Sequence, residues 1–231
     1  FNGQKKLLSS WFKFTLDGEI RGLSFSKSDL FIVLTKNSTT QLISMPFDAG
    51  LTDTGVNHNT YLDMRRSVSV AAGATTIDLS SFYTPANNEI KVYTTDGTLI
   101  TSTNSGATVT LTDGALSATE ATNVWVGIEY TMNYVFSELV FKDKGGSSLT
   151  PSNSSKFMLK NGTLFHANTH TYNVKVQPKG RTVDTNNFSA TVIGDTITGQ
   201  PDRSSGTFRF PIFSDASGTK ISITDNSAFN V

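Results

Sequence analysis

The sequence predicts an all-β protein, and three observations carry that prediction. Short apolar runs alternate with polar residues at a period of two, as in half-buried strands. The runs are separated by tight-turn pairs, Asp17-Gly18, Asp96-Gly97, Asp113-Gly114 and Asn161-Gly162, in which both residues tolerate positive φ. No apolar pattern with a helical period lasts more than about two turns. The composition agrees. Hydrophobic residues make up 37% and charged residues 16% of 231, which shifts the balance to Thr, Ser, Asn and Gly. The 16 Phe and six Tyr still supply a core, so the polarity does not imply disorder.

Taken in order, the first element is a meander from Trp11 to Met45. Its four expected strands are led by Trp11-Phe12-Phe14, by Ile20-Leu23-Phe25, by Leu30 to Leu34, and by Gln41-Leu42-Ile43-Met45. Four strands in about 35 residues match one blade of a β-propeller. Trp11, Phe14, Phe25 and Phe31 are expected to be buried in one cluster. Phe47 to Asn59 is polar and unpatterned and reads as a boundary loop between a blade-like part, 1–50, and a β-sandwich or barrel-like domain, 58–231.

Within the second part, strands are expected at Tyr61–Met64 and Thr75–Leu79, a hairpin at Glu89–Ser102, and strands around Val109-Leu111 and Asn123–Lys142. Leu116–Thr122 could form one helical turn. Lys142–Ser155, with Gly145-Gly146 and Pro151, reads as a flexible loop. Asn161-Gly162 is expected to turn a hairpin between Phe157–Leu159 and Thr163–Phe165, whose second arm could run on to Val176. Phe188–Ile193, Gly206–Phe213 and Lys220–Thr224 complete the strands, the last one ending the ordered pattern. A small β-rich insertion is placed at about 67–122.

Charge and cysteine content narrow the function. The 19 basic and 19 acidic residues cancel, so no patch announces nucleic acid or an anionic membrane. There is no cysteine, hence no disulfide framework or thiolate metal site. No apolar run approaches the ~20 residues of a membrane-spanning helix, and no stretch has a signal-peptide pattern. The chain begins at Phe1 directly before a strand pattern and reads as processed or partial.

The candidate chemistry is thin. His58 lies in the boundary loop. His166 and His170 would share a strand face about 13 Å apart at roughly 3.3 Å per residue, too far for one metal ion, and are expected at the surface or an edge. Asp17 and Glu19 flank a turn glycine, where acids shape a turn more simply than they run glycoside hydrolysis. No nucleophile elbow, phosphate loop or cysteine nucleophile occurs. Arg65, Arg66, Arg181, Arg203 and Arg209 are scattered, as solvated cations or as anchors for contacts. Catalytic, cofactor-binding and metal-binding residues are therefore all expected to be none.

Several segments, in order, resemble a known family. These are Ser9-Ser10-Trp11-Phe12-Lys13-Phe14, Gly18-Glu19-Ile20-Arg21-Gly22-Leu23-Ser24-Phe25 and Asp29-Leu30-Phe31-Ile32-Val33, then Tyr61-Leu62-Asp63-Met64-Arg65 and Val126-Gly127-Ile128-Glu129-Tyr130, and later Gly206-Thr207-Phe208-Arg209-Phe210-Pro211 and Ile221 to Ser227. They resemble the tail nozzle proteins (tail tubular protein B) of short-tailed bacteriophages. Members of that family are longer, so the resemblance implies one portion of such a protein. It also implies a structural role in the virion with no enzyme activity or cofactor. The chain would belong to a homo-oligomeric ring of six below an adaptor or upper tail tube protein, with tail fibres as possible neighbours. Genomic DNA would pass through the lumen without sequence-specific binding. Loops Leu51–Asn59 and Lys142–Ser155 are the expected contacts. The competing reading is a carbohydrate-binding β-sandwich module of an adhesin or receptor-binding protein, based on the polar composition and on Tyr83, Tyr93 and Trp125 as candidate sugar platforms.

Overall fold

A computed structural model of the chain describes residues 15–16, 18–36, 38–47, 53, 56, 58–82, 85–137, 142–145, 148–151, 157–191 and 201–229, the backbone alone for 142–145 and 148–151. The strands in chain order are β1 (Glu19–Ser26), β2 (Asp29–Lys36), β3 (Thr39–Pro46), β4 (Asp63–Val70), β5 (Thr76–Asp78), β6 (Ile90–Thr94), β7 (Leu99–Ile100), β8 (Ser102–Ser105) and β9 (Thr108–Leu111). They continue as β10 (Thr122–Ile128), β11 (Met132–Val135), β12 (Lys142–Gly145), β13 (Ser148–Pro151), β14 (Met158–Thr169), β15 (Thr171–Gln177), β16 (Asp184–Ser189), β17 (Ser204–Asp215) and β18 (Lys220–Asp225). The protein is all-β, as its turn chemistry and period-two patterning predict, and among the described residues no sheet closes into a barrel. The chain divides into two compact units, Phe1–Leu51 and Thr52–Val231.

In the first unit β1, β2 and β3 form an antiparallel meander in that order. The two-residue turn between β1 and β2 is possible because Lys27 takes a left-handed φ of 55°. The expected leading strand at Trp11–Phe14 lies outside the described residues, as do Trp11 and Phe14 of the expected buried cluster. The rest of that cluster needs correction. Phe25 is 68% exposed and Phe31 only half-buried, while Ile32 and Leu34 fill the buried positions. Among the described residues β1 has a neighbour on one side only, so its side chains are covered less than those of central β2.

The second unit contains two pairs of packed sheets. The sheet β4-β10-β6-β7 faces the sheet β5-β9-β8. Val70, Ile77, Leu79, Ile90, Val92, Val109, Leu111, Val124 and Val126 are buried between them. Every second residue of β10 points inward, which is what alternation in Asn123–Ile128 predicts. Buried Asn104 ties the loop before β6 to the β8–β9 hairpin. It accepts from the Ile90 amide (3.0 Å) and donates to the Ala86 and Gly106 carbonyls (2.7 and 2.9 Å). The Glu89–Ser102 hairpin forms as expected, with Val92 opposite Ile100. Residues 116–121 form no helical turn.

In the second pair, the sheet β11-β18-β15-β16 lies against the two-stranded ribbon β14-β17. Tyr172, Val174 and Val176 of β15 meet Phe210 and Ile212 of β17, flanked by Leu159, Leu164, Phe188, Phe208, Ile221 and Ile223. Three sequence readings are corrected here. The apolar stretch from Asn123 onward is divided between two sheets, because β10 pairs with β4 and β6 while β11 pairs with β18. Lys142–Gly145 and Ser148–Pro151 pair as antiparallel strands, β12 with β13, where a flexible loop is expected. Asn161-Gly162 does not turn, since the 12-residue strand β14 continues through it, with a register shift between Leu159 and Asn161. Gly162 is glycine because the Phe210 ring lies across its position. A Cβ there would sit 2.2 Å from Phe210 Cζ. The chain turns instead at His170, after a register shift between His166 and Thr169 that includes Asn168 at φ 53°.

Candidate functional site

The most unusual chemistry gathers where separate segments of the second unit meet around Phe229. His58 lies in a stretch that the sequence marks as a polar loop, yet it is fully buried. Its ring meets the Phe229 ring edge-on at 5.7 Å. Tyr93 of β6 and His170, between β14 and β15, meet the same ring edge-on at 5.7 and 5.4 Å. Leu62, Ala228 and Trp125 complete the cluster. Gly97, at φ +97°, closes it from the β6–β7 turn. A Cβ there would come within 2.9 Å of Pro201 Cδ and 3.0 Å of His58 Nε2. The Tyr61 amide donates to the Ala228 carbonyl at 2.6 Å and fastens the C-terminal segment to residues 58–62. The packed chain thus continues past the last strand, which no local pattern in 225–229 reveals.

Neither ring nitrogen of His58 has a hydrogen-bond partner among the described residues. Burial lowers the basicity of the imidazole, Arg203 lowers it further, and Asp53 and Asp96 oppose them. Beside the imidazole, Arg65 of β4 places Nη1 at 2.9 and 3.0 Å from the two Asp53 carboxylate oxygens and 2.8 Å from the Thr60 carbonyl. Its guanidinium lies 4.2 Å over the Trp125 ring. Asp53 Oδ2 also accepts from the Thr60 amide at 2.9 Å. Asp53 is nearly buried, so each hydrogen bond to its charge contributes about 1.5–3 kcal/mol. The Tyr93 hydroxyl donates to Glu129, and burial, then that bond, pushes its ionisation far upward. Burial likewise raises the Asp63 carboxyl.

The other sequence candidates are dispersed. His166 and His170 are partly buried rather than at the surface, because the 201–206 segment covers them. His166 Nδ1 lies 3.3 Å from the Ser204 carbonyl and its ring 4.4 Å from Phe188. His170 Nδ1 lies 2.7 Å from the Asp202 carbonyl. Asp17 falls outside the described residues, and Glu19 pairs with Arg21 at 2.8 Å on the surface. Arg66 sits 5.6 Å from the Phe82 ring, Arg181 donates to the Phe213 carbonyl at 3.0 Å, and Arg209 is exposed on β17. Of the candidate sugar platforms, Tyr83 lies outside the described residues, Tyr93 is buried, and the Trp125 ring is covered by Arg65. Among the described residues no three His, Asp or Glu side chains are grouped to hold a metal ion, and no helix is long and apolar enough to cross a membrane.

This arrangement holds separate segments of the second unit together, and the buried His58 packs edge-on against Phe229 beside the Gly97 turn. The sequence reading missed Phe229 and Asp53 because their roles depend on partners 171 and 12 residues away. A search of curated proteins finds no match. The family model described as "Bacteriophage nozzle protein" matches residues 1–231, and these observations together with that match place the chain in the bacteriophage nozzle protein family, as a structural component of the virion tail.

Proposed function

We propose that the chain is part of a ring-shaped nozzle of six copies that continues the tail channel below an adaptor or upper tail tube protein, with tail fibres near its rim. The meander β1–β3 would belong to a propeller blade, and genomic DNA would pass through the lumen. The observation that carries this reading is the family match along all 231 residues. Two features support it. Large apolar side chains stand exposed, among them Leu23 at 62%, Phe25 at 68%, Leu42 at 65% and Phe165 at 82%, and exposed apolar patches commonly mark contacts between proteins. The net charge of zero suits a conduit, since clustered cations would hold DNA in a salt-dependent way.

The expected contacts shift with the structure. His58 and Asp53 are turned into the protein, so the described part of Leu51–Asn59 is a poor candidate. The β12–β13 hairpin and the outward face of β14–β17, with Phe165 and Phe213, are better ones. Electron microscopy of intact tails carrying a label fused to this chain tests the proposal. Six label densities around the channel axis are expected. Labels at the tail periphery without rotational order would overturn it.

A further inference from the structure

A fully buried imidazole without a hydrogen-bond partner is a poor choice for stability alone. A phenyl ring of similar size would pack against Phe229 with no polar group to desolvate. What the imidazole adds is a proton site at a place where burial disfavours a charge. His58 touches Phe229 and the Gly97 turn, and Pro201 lies against that same turn. An imidazolium there would be a buried cation with no direct partner among the described residues, which is strongly unfavourable.

The geometry points to a proton-operated latch: with His58 neutral, residues 58–62, 96–97, 201–203 and 225–229 are clamped together, and uptake of one proton by His58 opens the clamp and releases the C-terminal segment. The groups facing His58 set its sensitivity. From the 201–203 segment Arg203 opposes protonation. From the 53–62 segment and the β6–β7 turn Asp53 and Asp96 favour it, but Asp53 is already engaged by Arg65. In the same surroundings Asp202 has a buried carboxylate oxygen without a partner among the described residues, and its carbonyl is 2.7 Å from His170. Asp225 accepts from Thr171 and Ser227, and Glu129 from Tyr93. The backbone bond from Tyr61 to Ala228 is the part of the clamp that hydrogen exchange reads directly.

The sign is fixed by the lowered basicity of the folded imidazole. The closed state is fully favoured above the ordinary imidazole value of 6.5, and is lost as pH falls below it, because the open state then binds the extra proton. Between pH 7.5 and 5.5 the opening constant of this junction should rise up to about tenfold. The test is hydrogen exchange with mass spectrometry on the full chain at those two pH values, corrected for intrinsic exchange, following peptides that cover 58–62 and 225–229. The wild type should open more at pH 5.5, His58→Phe should show no pH response, and His170→Asn, which loses packing on Phe229 and so opens more at both pH values, should keep the wild-type ratio between them. A pH response that persists in His58→Phe, that vanishes in His170→Asn, or that is missing from the wild type overturns the proposal. Should His58→Phe fail to fold, the ring titration of wild-type His58 by NMR decides. Titration together with loss of Tyr61 amide protection supports the latch. Titration with that amide still protected overturns it.

Discussion

The two packed sheet pairs of Thr52–Val231 solve the same problem with different side chains. The first is filled by nine aliphatic residues. The second is organised around aromatic rings. Tyr172 stacks on Phe188 at 4.7 Å, Phe208 meets both edge-on at 5.8 and 5.7 Å, and Phe208 stacks beside Phe210 at 6.4 Å. The difference follows from the sheets. Three- and four-stranded sheets cover each other widely, so branched aliphatic residues with few rotamers fill the gap. A two-stranded ribbon is narrow, and each of its residues must cover more area, which aromatic side chains do. The aromatic solution also demands space in the backbone, and Gly162 provides it.

Truncation should separate the two solutions. Phe210→Ala is expected to cost about 3–5 kcal/mol and Leu79→Ala about 2–5 kcal/mol, because both side chains are buried and their sites cannot fully collapse. Equilibrium unfolding in urea measures both. A loss below about 1 kcal/mol for Phe210→Ala would mean that the ribbon is not anchored by its rings.

Gly162→Ala sharpens the comparison from the other side. Its added methyl runs into the Phe210 ring, and overpacking of this kind costs about 1–3 kcal/mol. Because the two residues touch, the Gly162→Ala/Phe210→Leu pair should be less damaged than the sum of the single changes. Strict additivity in that cycle would show that Gly162 is retained for another reason. The cluster beside His58 lies outside both aliphatic and aromatic cores, and there Asp53→Asn should cost about 1–3 kcal/mol by weakening the Arg65 and Thr60 bonds. A melting temperature equal to that of the wild type would remove the cluster from the set of structural supports.

The smallest effect expected is an alkaline one confined to the aromatic core. Burial pushes the Tyr172 hydroxyl from 10.0 up to about 12. The folded state therefore keeps the phenol protonated more tightly than the unfolded state does. Stability from this group is complete below pH 10 and is lost as pH rises from there towards 12. Tyr172→Phe should flatten that part of the pH–stability curve, whereas variants in the aliphatic core should leave its shape unchanged. An unaltered alkaline slope in Tyr172→Phe would assign it to other groups.

Much of the fold was legible because β-structure writes itself in periods and turns. Val174 and Val176 alternate with polar neighbours, Val92, Val124 and Val126 recur at a period of two, and each lies in a strand with its side chain buried. Asp96-Gly97 turns the β6–β7 hairpin as the dipeptide predicts. The same dipeptide logic failed at Asn161-Gly162, where the glycine answers a ring that arrives from β17, some 50 residues later. Local chemistry cannot distinguish a glycine that needs a turn from one that needs room. The pairing of β12 with β13 was hidden because Lys142–Gly145 and Ser148–Pro151 hold few of the branched and aromatic side chains that announce strands.

By itself, the sequence determined the all-β class, most strand positions and, through ordered segments along the chain, the nozzle family, because these depend on patterns local in the chain. Tertiary structure alone decided which strands share a sheet, that Phe25 is exposed while Ile32 lies inside, and that His58 is buried against Phe229. The physical reason is common to all three. Burial and pairing are properties of residues brought together from distant parts of the chain, and a period-two pattern states that a strand has an inner face without stating what will cover it.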